Sequence, residues 1–307
     1  MNKIGAIFSG QGSQYTGMGL KLIDHSIGKK VFQEANDILG MDIESLCCNG
    51  TDEQLGATEV TQPAIVTCSI SAFRIITSDG FDIPELTPYD VSATAGLSVG
   101  EYSALVASGA LSFADALRLV KERGRLMAEA SRINPGTMMA IIGLDSDKVN
   151  AVCEEASSIG VVQPANYNSP GQIVISGEKV AIQNAADLAK KAGAKLCVPL
   201  DVSGAFHSPL MKPAEAGLRE ALSNISFSKP EIPFVANVTG DYVNDPETIK
   251  QNLALQLSNS IQWEASVKRM LDDGIITFME FGPSKILSGL VRRIYQKAKV
   301  FSSEDIL

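Results

Sequence analysis

Residues 91–105, VSATAGLSVGEYSAL, contain the stretch that decides the fold. The small residues of VSATAG predict a strand, and the EYSALVASGA that follows predicts a helix. Between them, Ser98 lies in a Gly-x-Ser-x-Gly pattern, which is typical of a nucleophile elbow, a sharp turn that presents a serine between a strand and a helix. The motif by itself also suits a flexible glycine turn, so the interpretation depends on finding a base for the serine.

A serine hydroxyl is a weak nucleophile without a base, and histidine is the usual base near neutral pH. The chain has two histidines, His25 and His207. His25 lies at the end of a polar helical segment and is interpreted as a surface residue. His207 lies in the glycine- and proline-bounded loop VSGAFHSPLM. An isolated histidine usually serves packing, but His207 is the well-placed partner for a serine elbow and is the predicted base.

Two further segments are candidates for the same site. The loop FSGQGSQ follows the first predicted strand and places Gln11 and several backbone N–H groups in a tight turn. Such a loop can supply a donor to an oxyanion, although a plain glycine turn is the alternative. Arg123 lies on the helix after the elbow, within VKERGRLM. Spacing alone does not distinguish Arg123 from a solvated arginine.

The middle of the chain predicts a second, smaller unit. Strand-like segments (GTMMAIIGL, GVVQPANYN, GQIVISG and AKLCVPLD) alternate with two helical ones in the order β-α-β-β-α-β, which matches a ferredoxin-like fold. We therefore predict an inserted ferredoxin-like subdomain over residues 132–203. An α/β-hydrolase-like catalytic domain with a parallel sheet is predicted over residues 1–131 and 204–307. In the latter range, EIPFVANVTG and GIITFMEFG are predicted strands.

Composition excludes several classes of function. The 307 residues are 45% hydrophobic and 20% charged, which is typical of a globular protein with a sizeable core. A net charge of -9 argues against nucleic-acid binding and requires a local cation for any anionic substrate. No apolar run approaches a membrane span. The five cysteines, without a C-x-x-C pair or a secretion signal, predict free thiols and a cytoplasmic protein. Two histidines are too few for a multi-histidine metal site.

Seven segments, taken in order, resemble the motif set of malonyl-CoA:acyl-carrier-protein transacylases and the related acyltransferase domains of polyketide synthases. They are FSGQGSQYTGMG, TQPAI, GLSVGEYSAL, RGRLM, ANYNSPGQIVISG, FHSPLM and EFGPSKILSGLVRR. The resemblance implies a ping-pong acyl transfer in which Ser98 forms a malonyl ester and His207 serves as base and acid. It also implies that a backbone carbonyl of Gln262 orients the imidazole. The N–H groups of Gln11 and Val99 would form the oxyanion hole.

The same resemblance assigns residues to the substrate. Arg123 matches the arginine that pairs with the malonyl carboxylate, and a planar guanidinium suits a carboxylate through two hydrogen bonds. Phe206 matches an aromatic residue that accompanies selection of malonyl over methylmalonyl. Asn166 and Asn168, turn residues by composition, match cleft residues that contact the acyl or pantetheine chain. Leu97 is a departure, since the family most often has histidine there.

No cofactor or metal is expected beyond the substrate, malonyl-CoA, and the phosphopantetheine of an acyl carrier protein. A monomer that binds neither membranes nor nucleic acid is implied. Three alternatives remain open at this point. The enzyme could serve a polyketide pathway rather than fatty acid synthesis, it could be a serine hydrolase or thioesterase, or the chain could be a non-enzymatic carrier-docking scaffold.

Overall fold

The computed structural model describes residues 2–78 and 81–307. Strands and helices alternate along these ranges, and none of the helices there is both long and apolar enough to cross a membrane. The strands are β1 Asn2–Phe8, β2 Tyr89–Gly96, β3 Thr137–Ile142, β4 Val162–Ser169, β5 Gln172–Gly177, β6 Leu196–Pro199, β7 Thr277–Phe281 and β8 Lys299–Ser302. The helices are α1 Leu20–Ile23, α2 Ser26–Leu39, α3 Ile43–Asn49, α4 Asp52–Gly56, α5 Thr58–Ile76, α6 Gly100–Ala107, α7 Phe113–Ile133, α8 Ser146–Ala156, α9 Lys179–Lys191, α10 Lys212–Ser223, α11 Pro246–Gln256, α12 Trp263–Asp272, α13 Ile286–Ile294 and α14 Ser303–Ile306.

The main sheet is parallel and positions the site. Its strand order is β2-β1-β7-β8, and each neighbouring pair runs in the same direction. Phe8 at the end of β1 pairs with Gly96 at the end of β2. The two loops that follow these strands therefore meet at one edge of the sheet, where ligands bind in parallel α/β folds. This sheet confirms the predicted α/β class.

The second sheet is antiparallel, with the strand order β4-β5-β3-β6. Helices α8 and α9 follow β3 and β5 in the chain, which confirms the ferredoxin-like β-α-β-β-α-β order. Because successive side chains alternate between the faces of a strand, Met139 and Ile141 of β3 pack in a core of their own with these helices. Met138 and Ala140 join the main core instead. All four strands lie within residues 132–203, and we propose that range as the inserted subdomain.

The prediction of a strand over residues 231–240 was wrong. This segment forms only isolated bridges, including one from Thr94 to Phe234. Pro233 has no N–H to donate to a ladder, and Gly240 turns the chain with a φ of 64°. The segment nevertheless runs beside β2 as far as Thr94, and this contact brings the residues that follow it close to the elbow.

Candidate active site

Ser98 lies in a left-handed turn between β2 and α6, with a φ of 54°. A non-glycine residue in this region is strained and persists only where its surroundings hold it. The flanking glycines leave the necessary space. A Cβ on Gly96 would lie 2.0 Å from the carbonyl oxygen of Gly100, and one on Gly100 would lie 2.2 Å from the carbonyl oxygen of Phe8. The Gly-x-Ser-x-Gly pattern therefore forms an elbow at the end of β2.

His207 meets Ser98 across 109 residues of sequence. Its Nε2 lies 2.9 Å from the Oγ of Ser98. Its Nδ1 lies 2.7 Å from the carbonyl oxygen of Gln256. A carbonyl can only accept, so Nδ1 carries the proton and Nε2 accepts the hydrogen bond from the serine hydroxyl. The pair has the tautomer and geometry that a general base requires.

The environment of His207 keeps its imidazole neutral. The side chain is buried, and Arg123 lies nearby. Burial, followed by the charge of Arg123, lowers the pKa of His207 to about 3, while the hydrogen bond to Gln256 opposes the shift. A neutral imidazole at physiological pH is ready to accept the serine proton.

The expectation that Gln262 orients this imidazole was wrong, because the carbonyl belongs to Gln256. Gln256 is the last residue of α11, and the carbonyls at a helix end have no partner within the helix. The carbonyl of Gln262 instead accepts from the N–H and the hydroxyl of Ser266 in the first turn of α12. The segment SIQWEASV, which supplied that expectation, begins at residue 260, whereas the observed carbonyl lies six residues before Gln262, at the end of the preceding helix.

Arg123 is a buried cation beside the nucleophile, with 1% of its surface exposed. Its Nη1 donates to Gln62 Oε1 at 2.7 Å, and its Nη2 donates to Gln256 Oε1 at 2.8 Å and to Ser98 Oγ at 3.0 Å. Among the residues that the structure describes, no carboxylate forms a salt bridge with it. Glu101 reaches it only through Gln256. A buried guanidinium with neutral partners is suited to an anionic ligand.

The loop after β1 lies against the elbow. A Cβ on Gly10 would lie 2.5 Å from the carbonyl oxygen of Leu97, so only glycine permits this approach. Gln11 follows and lines the same cleft as Ser98. Within residues 2–78 and 81–307, the main-chain N–H groups of Gln11 and Val99 have no hydrogen-bond acceptor. Each N–H group is therefore left without a partner within those residues.

A cleft of about 900 Å³ extends from Ser98 between the two sheets. Its lining includes Leu97 and Phe206 from the main domain and Asn166 and Asn168 from β4. The Oδ1 atom of Asn168 is buried and has no hydrogen-bond partner within the described chain. Three of the four side chains predicted for the substrate, Phe206, Asn166 and Asn168, therefore line the cleft. The fourth, Arg123, lies behind Ser98 and contacts its Oγ.

Comparison with known proteins identifies the family of this chain. The family model described as acyl transferase domain matches residues 6–307. This chain belongs to the acyl transferase family. A malonyl CoA-acyl carrier protein transacylase from Bacillus subtilis is 41% identical over 307 residues, which cover 99% of this chain and 94% of the relative.

Solved structures of similar proteins share the whole fold. The crystal structure of an acyl-carrier-protein S-malonyltransferase from Burkholderia pseudomallei superposes with a TM-score of 0.93 at 40% identity and covers 99% of this chain and 96% of that one. A malonyl-transacylase solved in complex with a type II polyketide acyl carrier protein has a TM-score of 0.92 at 39% identity and covers 98% and 96%.

Sequence reasoning missed three glutamines in the site of this acyl transferase. Gln62 and Gln256 hold Arg123. The Nε2 of Gln163 donates to the carbonyl of His207 at 2.9 Å and so connects β4 with the base. Gln62 carried a signal, since a polar residue inside the apolar helix α5 needs a buried partner. The other two carried no such signal.

Proposed function

We propose that this chain transfers the malonyl group from malonyl-CoA to the phosphopantetheine thiol of an acyl carrier protein, through an ester on Ser98. One observation carries the proposal. The Oγ of Ser98 lies within hydrogen-bond distance of both a neutral imidazole and a buried guanidinium that has no carboxylate partner among the described residues. The first group activates a nucleophile, and the second can hold the free carboxylate of a dicarboxylic acyl group. The names of the relatives support the same activity.

In the first half-reaction, the Ser98 oxygen attacks the thioester carbonyl while His207 Nε2 takes its proton. The C–S bond then breaks, and the imidazolium returns the proton to the leaving CoA thiolate. The main-chain N–H groups of Gln11 and Val99 stabilise the negative charge on the tetrahedral intermediate. The N-terminus of α6 adds its positive dipole at the same point.

In the second half-reaction, the carrier thiol attacks the malonyl ester. The imidazole of His207 takes the thiol proton and gives it back to the Ser98 oxygen as the C–O bond breaks. A serine–histidine pair suffices because the carbonyl of Gln256 already fixes the tautomer of the imidazole. No aspartate is needed in that role.

The malonyl carboxylate replaces the serine hydroxyl as the acceptor for Arg123. Gln62 and Gln256 hold the guanidinium in place on its other sides. A neutral acyl group would leave the buried cation without a counter-charge, which explains selection for malonyl over acetyl. Phe206 narrows the cleft against a 2-methyl branch, and Asn166 and Asn168 bind the acyl or pantetheine chain.

We propose fatty acid synthesis as the pathway and a monomer as the active form. We also propose that the enzyme acts in the cytoplasm, because its five cysteines are free thiols and a reducing compartment keeps thiols free. A polyketide pathway is the second candidate, because the relative solved with a polyketide carrier protein is also 39% identical. The two pathways are distinguished by an assay with purified carrier proteins from both. Each carrier protein is mixed with the enzyme and malonyl-CoA, and the formation of malonyl-carrier is measured. Faster formation of malonyl-carrier with the fatty acid carrier is the expected result.

The alternative of a serine hydrolase is tested by following CoA release with and without the carrier protein. A transferase releases CoA beyond the first turnover only when the carrier is present, because its cleft protects the ester from water. Equal rates of malonate formation in both reactions would favour the hydrolase and overturn the proposal.

A further inference from the structure

The main chain that runs beside β2 ends close to the nucleophile. Thr94 of β2 accepts a hydrogen bond from the N–H of Val235 at 2.9 Å and donates its own N–H to the carbonyl of Pro233 at 2.8 Å. Beyond Thr94 this pairing stops, since β2 turns into the elbow. The next residue of the neighbouring segment that faces the elbow is Asn237, which is fully buried.

The side chain of Asn237 continues the pairing where the main chain cannot. Its Nδ2 donates to the carbonyl oxygen of Gly96 at 2.6 Å, and its Oδ1 accepts from the N–H of Ser98 at 2.8 Å. One amide thus bonds the main-chain groups on both sides of Leu97. From the opposite side, the N–H of Leu97 donates to the carbonyl oxygen of Phe8 at 3.1 Å. The elbow is therefore held from both flanks.

Asn237 is itself fixed by its main chain. Its N–H donates to Glu101 Oε1 at 2.9 Å, and its carbonyl accepts from the N–H of Gln262 at 2.7 Å. The other carboxylate oxygen of Glu101 accepts from Nε2 of Gln256. Glu101 therefore connects the residue that contacts the Ser98 backbone with the residue whose carbonyl holds the imidazole.

We infer that Asn237 is a positioning residue for the proposed acyl transfer, and that it acts through the backbone of the Ser98 elbow. The inference rests on the proposed function, since it concerns the placement of that nucleophile. Ser98 has a strained φ of 54°, and such a conformation persists only where its surroundings maintain it. Without the amide, the Ser98 N–H and the Gly96 carbonyl lose their partners, and the Oγ leaves its place between His207 and Arg123.

The test compares two asparagine variants. Asn237→Ala removes the amide from the elbow. Asn36→Ala is the matched control, because Asn36 Oδ1 also accepts from two main-chain N–H groups, those of Ile43 and Glu44, but lies in α2, away from the cleft. For each variant, the rate of malonyl-Ser98 formation is measured by quenched flow and mass spectrometry, well below the melting temperature.

We expect Asn237→Ala to slow acylation by about 10²-fold, the cost of misplacing a reacting atom by roughly 1 Å. The KM for malonyl-CoA should change little, because the contacts of Arg123 remain. Asn36→Ala should lower the melting temperature without slowing acylation. If Asn237→Ala does not fold, the isosteric Asn237→Asp keeps the acceptor for Ser98 but loses the donor to Gly96, and its acylation should be slower by at least about tenfold.

A folded Asn237→Ala enzyme that acylates within about twofold of the parent would overturn the inference. An equal fall in the acylation rate of Asn36→Ala would also overturn it, since the loss of rate would then follow from lower stability alone. Failure of the parent enzyme to form the adduct would instead contradict the proposed function, so the two outcomes are distinguishable.

Discussion

At the scale of single residues, Arg123 is a buried cation whose hydrogen-bond partners, within the part of the chain that the structure describes, are all neutral. Burial lowers the pKa of its guanidinium, although arginine stays charged. We predict that Arg123→Ala reduces kcat/KM for malonyl-CoA by about 10²–10³-fold, equivalent to about 3–4 kcal/mol for a buried charge pair. Because the variant has no guanidinium to pair with a carboxylate, the preference for malonyl-CoA over acetyl-CoA should fall as well.

The control for this variant is Arg125→Ala. Arg125 lies on the same helix, two residues on, but it is exposed and pairs with Glu122 and Glu129. Arg125→Ala should leave kcat/KM for malonyl-CoA and the preference for malonyl-CoA over acetyl-CoA unchanged, because exposed ion pairs contribute little to stability. Unchanged discrimination between malonyl-CoA and acetyl-CoA in Arg123→Ala would remove Arg123 from the substrate site.

The pH dependence also belongs to the residue scale. The pKa of His207 is lowered from 6.5 to about 3, chiefly by burial and then by Arg123. Since the folded enzyme keeps the neutral base as pH falls through 6.5, kcat/KM for malonyl-CoA, which reports the free enzyme, should show no loss there from imidazole protonation. Burial raises the pKa of Glu101 to about 7, so the profile is compared with that of Glu101→Gln. An inflection near 6.5 in both enzymes would contradict the shifted pKa of His207.

Residues with a motif were predictable, and the backbone carbonyl that holds the imidazole was not. Ser98 and Arg123 lie in recognisable patterns, and the scarcity of histidines indicated His207. The carbonyl of Gln256 could not be identified, because any residue type supplies a carbonyl and only the end of α11 determines which one is free. The expectation for Gln262 was wrong for this reason.

At the scale of elements, the glycines of the elbow make a prediction about stability. A Cβ on Gly100 would press on the carbonyl oxygen of Phe8 at 2.2 Å, and neither backbone can move without disturbing β1 or α6. We therefore expect Gly100→Ala to lower the free energy of unfolding by about 1–3 kcal/mol. Chemical denaturation measured by circular dichroism provides this value.

The matched control is Gly289→Ala in α13, where an added Cβ meets nothing within 4 Å. This substitution should stabilise the protein by about 0.5–1 kcal/mol through helix propensity. If Gly100→Ala were as well tolerated as Gly289→Ala, the close approach of the elbow to β1 would be contradicted.

Elements with strong periodicity or turn signals were predicted well, as β2, α6 and the β4–β5 hairpin show. Residues 231–240 carried the composition of a strand but formed only bridges. Pro233 and the turn at Gly240 prevented a regular strand. The side chain of Asn237 forms hydrogen bonds to the elbow where a regular strand would have formed ladder bonds. The short strand β8, Lys299–Ser302, was not predicted.

At the scale of the whole molecule, the cleft between the two sheets is lined by Ser98 and His207, and the buried guanidinium of Arg123 contacts the Ser98 hydroxyl. The order of elements predicted the two sheets. It did not predict that Ser98 and His207 meet, because 109 residues separate them and the inserted subdomain lies between. That expectation came from the scarcity of histidines together with the serine elbow, and the resemblance implied the same pair.

The central claim is that Ser98 carries the malonyl group, and mass spectrometry tests it most directly. The protein is mixed with malonyl-CoA without a carrier, and the intact mass and the peptide that contains residue 98 are measured. We predict one malonyl group per chain, located on Ser98, and none in Ser98→Ala. Folded parent protein without an adduct, or an adduct that persists in Ser98→Ala, would contradict the account.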